Sequence, residues 1–334
     1  MSDSKAIPDR QDARSTRQDA RSTRQDARST RQDARSTKSL ILEPGTLAEK
    51  IAAQTTHALE CGALKPIPTD YEFVEDGNLR FLVRISSNLA RKDKAKKQQK
   101  KAKDFNPFLP YEEDLFVADI SESHISLLNK YNVVDRHLLI VTRQFEEQEN
   151  LLTLADFEAV GACLAEIDGL VFYNGGKNAG ASQRHKHLQM IPLPLAPEGP
   201  PLPIEPAIAA AKFEGDIGTT PDFPFLHAIA KLDIGKASSP QEAAEATLES
   251  YFSLLHAVGV RGSDGMKGKQ SDAYNLLATR EWMLLVGRSR EDFESISVNS
   301  LGFAGSLFVK NSEQMKALKE RGPITLLTHV ANMN

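Results

Sequence analysis

Val171-Phe-Tyr-Asn174, Gly175-Gly-Lys-Asn-Ala-Gly-Ala-Ser-Gln183 and Arg184-His-Lys-His-Leu-Gln-Met-Ile191 follow one another without a break and read as strand, glycine-rich loop and strand. In the second strand a period of two puts His185, His187, Gln189 and Ile191 on one face, with Lys186, Leu188 and Met190 on the other. Three polar side chains thus converge where the loop ends. Gly175, Gly176 and Gly180 permit positive φ angles and close backbone approach, so successive N–H groups beside Asn174 can cradle phosphate oxygens. A phosphate seat next to an imidazole is the implied geometry.

Imidazole suits attack on phosphorus because its pKa near neutrality leaves an unprotonated nitrogen, and the phosphoramidate formed stays reactive enough to pass the group on. His187 is the candidate nucleophile, and His185 could orient the site. A phosphate leaving group needs little protonation, so a neutral Gln189 can hydrogen-bond the transferring phosphoryl without acting as an acid. Two plainer readings stand beside this one. H-x-H on a strand is also a metal-binding pair, although no nearby carboxylate or cysteine offers an obvious third ligand. The histidines could also be satisfied polar groups of a core. The glycine loop directly upstream favours catalysis.

Outward from this segment, Thr46 and Glu49 form a capping-box pattern before the stripe Leu47, Ile51, Ala52, Thr55 and Leu59, which stops at Gly62. Leu79, Phe81, Val83 and Ile85 alternate as a half-buried strand, and Leu115 to Ala118 and His137 to Thr142 read similarly. Thr153 and Asp156 open a helix carrying Leu154, Phe157, Val160, Leu164 and Ile167. Seven prolines between Pro192 and Pro206 should run extended over the surface. Beyond them Ser239, Pro240 and Glu242 start a helix with Leu248, Tyr251, Phe252 and Leu255 on its apolar side. Strands at Tyr274 to Thr279, Trp282 to Val286 and Phe303 to Lys310 follow, then a short helix capped by Ser312. Helices fall between groups of strands rather than after each one, which predicts an α+β fold with a largely antiparallel sheet.

The division expected is a disordered repeat at 1–38, a catalytic half at 39–195, a proline-rich linker at 196–222 and a C-terminal half at 223–334. In the first segment Arg-Gln-Asp-Ala-Arg-Ser-Thr recurs four times from Arg10 to Thr37, and Ala alone is apolar in each heptad, so no coiled-coil seam exists. A net charge of -4 gives no reason to invoke nucleic acid or an anionic membrane. No run is long and apolar enough to span a bilayer and no secretory signal opens the chain, so the cytoplasm is expected. Cys61 and Cys163 are far apart, offer neither a disulfide framework nor a cysteine zinc site, and are expected to be buried. His57, His124 and His329 read as surface or packing residues, and His137 as packing at a strand start.

The histidine segment does not stand alone. Asn106-Pro-Phe108, Leu127-Leu-Asn-Lys-Tyr131, His137-Leu-Leu-Ile-Val-Thr142, Tyr274-Asn-Leu-Leu-Ala-Thr279, Trp282 and Arg288-Ser289 accompany it. Together these resemble the diadenosine tetraphosphate phosphorylases, also called ATP adenylyltransferases, of the transferase branch of the histidine triad superfamily, over Leu47 to Val330. The resemblance implies a histidine-triad-like fold extended by a C-terminal half, and an enzyme that cleaves diadenosine tetraphosphate with phosphate to ATP and ADP, reversibly, through an adenylyl-histidine. It implies that His187 takes the adenylyl group and that Gln189 stands where the hydrolytic branch has a third histidine. Ser182 and Gln183 would contact phosphates, Lys92 is placed at a phosphate-contacting position, and Asn129 and Lys130 would lie near a nucleoside. Asn106 is a further candidate, and Asn275, Thr279 and Arg288 would complete the nucleotide site. Mg2+ is expected with the polyphosphate and no structural metal. Nucleotides and phosphate are the expected partners, with a monomer preferred because two halves could complete one pseudo-symmetric unit. Gly287 departs from the proline expected before Arg288. Dinucleotide hydrolysis, a non-catalytic nucleotide sensor and a metal enzyme built on His185 and His187 are the alternatives.

Overall fold

A computed structural model of the chain describes residues 40–85, 105–237 and 239–333. The expected disordered segment with its heptapeptide repeats, and the basic run with Lys92, lie outside these residues.

Helix α1 (Leu47–Glu60) precedes β1 (Asp70–Asp76), β2 (Leu79–Ile85), β3 (Phe116–Asp119), β4 (His124–Leu128) and β5 (Leu138–Thr142). Helix α2 (Leu154–Glu166), β6 (Gly169–Gly175) and β7 (His187–Pro192) follow, then α3 (Glu205–Ala209), β8 (Lys212–Glu214), β9 (Ile217–Thr219) and β10 (His227–Lys231). Next come α4 (Pro240–Ala257), β11 (Gly262–Asp264), β12 (Lys267–Gln270), β13 (Tyr274–Ala278), β14 (Trp282–Gly287), β15 (Asp292–Phe293) and β16 (Ile296–Ser297). Helix α5 (Ser300–Phe303), β17 (Ser306–Val309), α6 (Ser312–Arg321) and α7 (Pro323–Val330) complete the order.

One ten-stranded sheet, ordered β3-β4-β5-β7-β6-β13-β14-β10-β9-β8, organises residues 39–334 as a single unit. Every ladder in it is antiparallel, as expected for an α+β chain. The join between the two halves is β6 against β13, with Gly175 opposite Tyr274 and Asn174 opposite Asn275. A smaller sheet pairs β1 with β2 and, in parallel, β2 with β17.

Strand alternation gives the large sheet two apolar faces. Leu188 and Met190 join Phe157, Val160 and Leu164 of α2 and Tyr251 and Leu255 of α4 in one core. Ile191, Phe172 and Leu277 turn the other way, into a core shared with Phe81, Val83, Phe303 and Leu307. A third cluster, Phe108, Ile125, Leu127, Leu139 and Val141, covers the β3–β5 end. Each fully buried Leu or Phe stabilises by roughly 1.5–3 kcal/mol, so a one-residue slip of β7 would expose a whole face.

Several local expectations are corrected. Thr46 does not cap α1 through Glu49; its hydroxyl donates to Glu43 O, while the Glu166 carboxylate, at the end of α2, accepts from Gly45 N and Leu47 N at 2.8 and 2.7 Å. A carboxylate at a helix N-terminus satisfies orphan N–H groups and suits the dipole. Ala52 and Leu59 are exposed, and the helix buries Leu47, Ile51 and Ala58 instead. The proline-rich stretch is not wholly extended, because Pro206 sits in the first turn of α3, where a missing N–H costs nothing, and β8 and β9 add to the sheet edge. Cys61 is exposed, while Cys163 is buried, with its thiol pushed up to about 12 by burial.

Candidate active site

His187 is the first residue of β7, and the ladders on its two sides behave differently. On the β5 side Val141 pairs with His187, but on the β6 side pairing ends at Phe172 opposite Gln189. Gln148 fills the gap. Its amide oxygen accepts from His187 N at 2.9 Å, and its amide nitrogen donates to His187 O at 3.2 Å and Asn174 O at 3.0 Å. A buried side chain thus satisfies the backbone that the split leaves unpaired, which is why the strands can part at the histidine without an orphaned polar group.

The hydrogen bonds assign both imidazole tautomers. His187 Nδ1 lies 2.8 Å from the carbonyl oxygen of His185, which can only accept, so Nδ1 carries the proton and Nε2 keeps its lone pair. His185 Nε2 lies 2.8 Å from Thr142 O and 3.1 Å from Gln144 O, so it is the donor there, and Nδ1 accepts from Asn106 Nδ2 at 3.0 Å. Both ring nitrogens of His185 are thus engaged by protein, which braces the ring against Thr142, Gln144 and Asn106. Burial pushes the His187 pKa down to about 4, against the bond to the His185 carbonyl, which raises it. His187 is therefore neutral at pH 7.

Behind this strand lies a buried charge network that the alternating pattern hides. Lys186 is fully buried on the helix side, where Nζ donates to Asp156 at 3.1 Å, Glu146 at 3.0 Å and Leu151 O at 3.1 Å. Asp156 also meets His124 Nε2 at 3.1 Å and caps α2 by accepting from Thr153 N at 2.7 Å. His124, expected to be a surface or packing residue, begins β4 and is buried. Burial alone would raise the Asp156 pKa, but Lys186 and His124 hold it well below the usual carboxylate range.

On the His187 face, Gln189 Oε1 and His137 Nε2 are 2.9 Å apart, which makes the ring nitrogen the donor. His137, expected only to pack, thereby orients the Gln189 amide so that its NH2 points away from the ring. Asn129 Nδ2 approaches His137 Nδ1 at 3.3 Å and continues the chain. Phe108 closes over both histidines, its ring 5.6 Å from His185 and 5.2 Å from His187 between centroids, while the Asn106 side chain bonds both His185 and the Phe108 N–H. Asn106, Phe108, His137, His185, His187 and Gln189 therefore form one cluster.

The glycine loop is built differently from the expected cradle. Gly176 and Gly180 do take positive φ, 92° and 89°. Yet the N–H groups of Gly176, Ala179, Gly180 and Ala181 donate within the segment, to Asn174 O, Gly176 O, Lys177 O and Gly176 O. Those donors are spent on the turn. Asn174 and Asn275 are likewise buried in an internal network: Asn275 Nδ2 donates to Asn174 Oδ1, Ala179 O and Ser300 Oγ, each at 2.9 Å. Ser300 N donates to Asn174 Oδ1 at 3.0 Å. Gly175 is pinned by Gln270, whose amide donates to its carbonyl at 2.6 Å.

Ser182 and Gln183 lie on the loop's exit, exposed and half-buried, and among the described residues neither side chain has a hydrogen-bond partner. Lys130 is held by Glu112 at 2.6 Å. Thr279 does not join the cluster. It follows the last residue of β13, roughly 13 Å along the chain from Asn275, and its hydroxyl accepts from Glu281 N and Trp282 N to cap the β13–β14 turn. Arg288 is buried, donating to Asn275 Oδ1 and to the carbonyls of Val330, Arg290 and Val298. Gly287 donates its N–H to Leu226 O at 3.3 Å, a bond that proline could not make.

His227, at the start of β10, repeats part of the His187 arrangement: its Nδ1 lies 2.7 Å from the carbonyl two residues back, that of Phe225. Here Nε2 accepts from Thr220 N at 2.9 Å. The lone pair that would attack is already occupied.

Residues 37–210 match the family described as Ap4A phosphorylase N-terminal domain, and residues 221–333 that described as ATP adenylyltransferase C-terminal domain. Diadenosine 5',5'''-P1,P4-tetraphosphate phosphorylase 2 of Saccharomyces cerevisiae is 28% identical over 302 residues, covering 82% of this chain and 90% of its own length. Protein APA1 of the same yeast is 27% identical over 301 residues, covering 83% and 91%. The crystal structure of yeast Ap4A phosphorylase Apa2 superposes with a TM-score of 0.72 at 24% identity, covering 88% of this chain and 96% of that one. The same enzyme in complex with Ap4A gives 0.70 at 22% identity, covering 88% and 100%. The fold is thus shared, a histidine-triad-like α+β architecture.

Proposed function

The chain belongs to the Ap4A phosphorylase family, and on that premise we propose that it is a nucleotidyltransferase cleaving diadenosine tetraphosphate with inorganic phosphate to ATP and ADP, reversibly. The observation that carries the mechanism is the bond from His187 Nδ1–H to the His185 carbonyl, which leaves Nε2 as a neutral nucleophile. Nε2 attacks the phosphorus next to one adenosine, the P–O bond to the tetraphosphate chain breaks, and ATP leaves with the electron pair. AMP stays on Nε2 by a P–N bond. A phosphate oxygen then attacks that phosphorus, the P–N bond breaks, and ADP leaves as the lone pair returns to Nε2.

Gln189 supports this reading by its orientation, since His137 takes its oxygen and frees the amide N–H groups for the phosphoryl oxygens. His185, braced by Thr142 and Asn106, holds the strand carbonyl that fixes the tautomer. Ser182, Gln183 and Lys92 are assigned to the polyphosphate on the family resemblance. Asn129 and Lys130 are assigned to a nucleoside on the family resemblance. Mg2+ arrives on the polyphosphate as part of the substrate. The enzyme acts as a cytoplasmic monomer.

Labelled phosphate separates transfer from hydrolysis: phosphorolysis puts the label into ADP, whereas water as acceptor yields unlabelled AMP. Without phosphate, an acid-labile adenylyl-protein should accumulate on the wild-type chain and not on His187→Ala. Near-normal phosphorolysis by His187→Ala, or AMP as the only adenylyl product with phosphate present, would overturn the proposal.

A further inference from the structure

Away from the active site, His57 in the last turn of α1 and Cys61, its C-terminal cap, lie one turn apart, and Asp114 reaches them from the 3-10 turn Glu113–Leu115. One ligand atom from each of the three, an imidazole nitrogen, the thiol sulfur and a carboxylate oxygen, falls within 4.8 Å of the others. The turn is docked onto the helix independently of these side chains, because Gln54 Nε2 donates to Asp114 O at 2.6 Å. His57 Nε2 already sits 2.8 Å from Asp114 Oδ1, and among the described residues no lysine or arginine pairs with that carboxylate. All three groups are exposed, so they can be reached from solvent and can adjust.

We propose that His57, Cys61 and Asp114 form a surface binding site for one divalent transition-metal ion of the Zn2+ class, with water as the fourth ligand. Imidazole, thiolate and carboxylate make a donor set that suits Zn2+ or Co2+ in tetrahedral geometry and is poor for Mg2+ or Ca2+, which take oxygen ligands. On binding, the ion takes the lone pair of His57 Nε2 with the imidazole proton on Nδ1, the Asp114 carboxylate coordinates through an oxygen, and the Cys61 thiol releases its proton to solvent. The ion ties α1 to the turn that follows Asn106 and Phe108, the residues packed on His185 and His187. Occupancy therefore stiffens the segment that closes over the active-site histidines, through ligands remote from them.

The test uses the full chain in buffer free of phosphate and nucleotide, titrated with Co2+ while the near-ultraviolet thiolate-to-cobalt charge-transfer band is followed. Cys163 is buried, so Cys61 is the accessible thiol. One equivalent of Co2+ should develop the band, Zn2+ should displace it, and excess Mg2+ should not. Cys61→Ser should abolish the band, and His57→Gln and Asp114→Asn should each lose at least about tenfold in affinity. These positions are exposed, and equal melting temperatures without metal would show that the variants fold. Absence of the band in the wild-type chain would overturn the site, as would Zn2+ binding that survives Cys61→Ser and His57→Gln together.

Discussion

The Nδ1–H of His187 donates to the carbonyl oxygen of His185, two residues earlier on the same strand, across 2.8 Å. The strand thus supplies its own orienting acceptor, with no carboxylate needed. A neutral acceptor raises the pKa of the ring less than a carboxylate would, so burial dominates and the imidazole stays unprotonated.

The first consequence is a pH profile. Because the folded pKa of His187 is about 4, the acid limb of kcat/KM for the free enzyme should fall near that value rather than at an ordinary histidine's 6.5. Stability follows with a definite sign. The unfolded chain takes up a proton at His187 below pH 6.5 that the folded chain refuses until about 4, so stability is lost as pH falls through that window, by about 3 kcal/mol in all. His185 and His227, also lowered by burial, add in the same direction. Urea unfolding between pH 7 and 4.5 should show a steeper loss for the wild type than for His187→Asn, and equal slopes would refute the assignment.

That tautomer was only half legible in the sequence. Alternation placed His185, His187 and Gln189 on one face, and the structure keeps them there, but nothing in the spacing indicates which ring nitrogen meets a carbonyl. Gln148 and His137 act through contacts separated from β7 by 39 and 52 residues, beyond the reach of any local period. Lys186 could have been noticed as a charge on an otherwise apolar face, flanked by Leu188 and Met190. Gly176 and Gly180 take the positive φ expected of them while Gly175 stays in the extended strand, and φ alone does not reveal that the N–H groups of Gly176, Ala179, Gly180 and Ala181 donate within the turn. Thr46 and Glu49 matched a capping box, yet Glu166 outcompeted Glu49 from across the fold.

His137 should act through Gln189 rather than on its own. Removing either partner loses the oriented amide, so His137→Phe and Gln189→Ala should each reduce kcat, by at most the roughly 2.7–4 kcal/mol of one stabilising donor. Combined, they should cost little more than the larger single effect. A double-mutant cycle with a coupling energy of about 1–3 kcal/mol would bear this out, and strict additivity would separate the residues.

Lys186→Met fits the space but strips Asp156 of its main partner, and breaking one side of a buried pair costs about 3–5 kcal/mol. The penalty should depend on pH. With Lys186 gone, burial raises the Asp156 pKa, so the variant can relieve the cost by protonation at low pH and cannot at high pH. Denaturation at pH 5 and pH 8 should therefore show the larger deficit at pH 8, and Lys186→Met combined with Asp156→Asn should recover part of it. A deficit independent of pH would mean that volume rather than charge is responsible.

Arg288 makes the most demanding prediction because its guanidinium joins three parts of the chain. Nε donates to Val330 O at 3.1 Å, Nη2 to Val298 O at 3.0 Å and Arg290 O at 2.7 Å, and Nη1 to Asn275 Oδ1. Asn275 in turn donates to Ala179 O, inside the glycine loop that leads to Ser182, Gln183 and His187. Lysine keeps the charge but cannot present a planar fork to acceptors on several sides, so Arg288→Lys leaves buried carbonyls unpaired. The expected loss is about 3 kcal/mol of stability, from one or two acceptors at roughly 1–3 kcal/mol each. The loop should loosen with it. Faster hydrogen exchange at the amides of Ala179, Gly180 and Ala181 should accompany a raised KM for the dinucleotide, while adenylation of His187 still occurs. If Arg288→Lys lowered the melting temperature yet left those amides as protected as in the wild type, the Arg288–Asn275 link would be holding the C-terminal half together without positioning the loop.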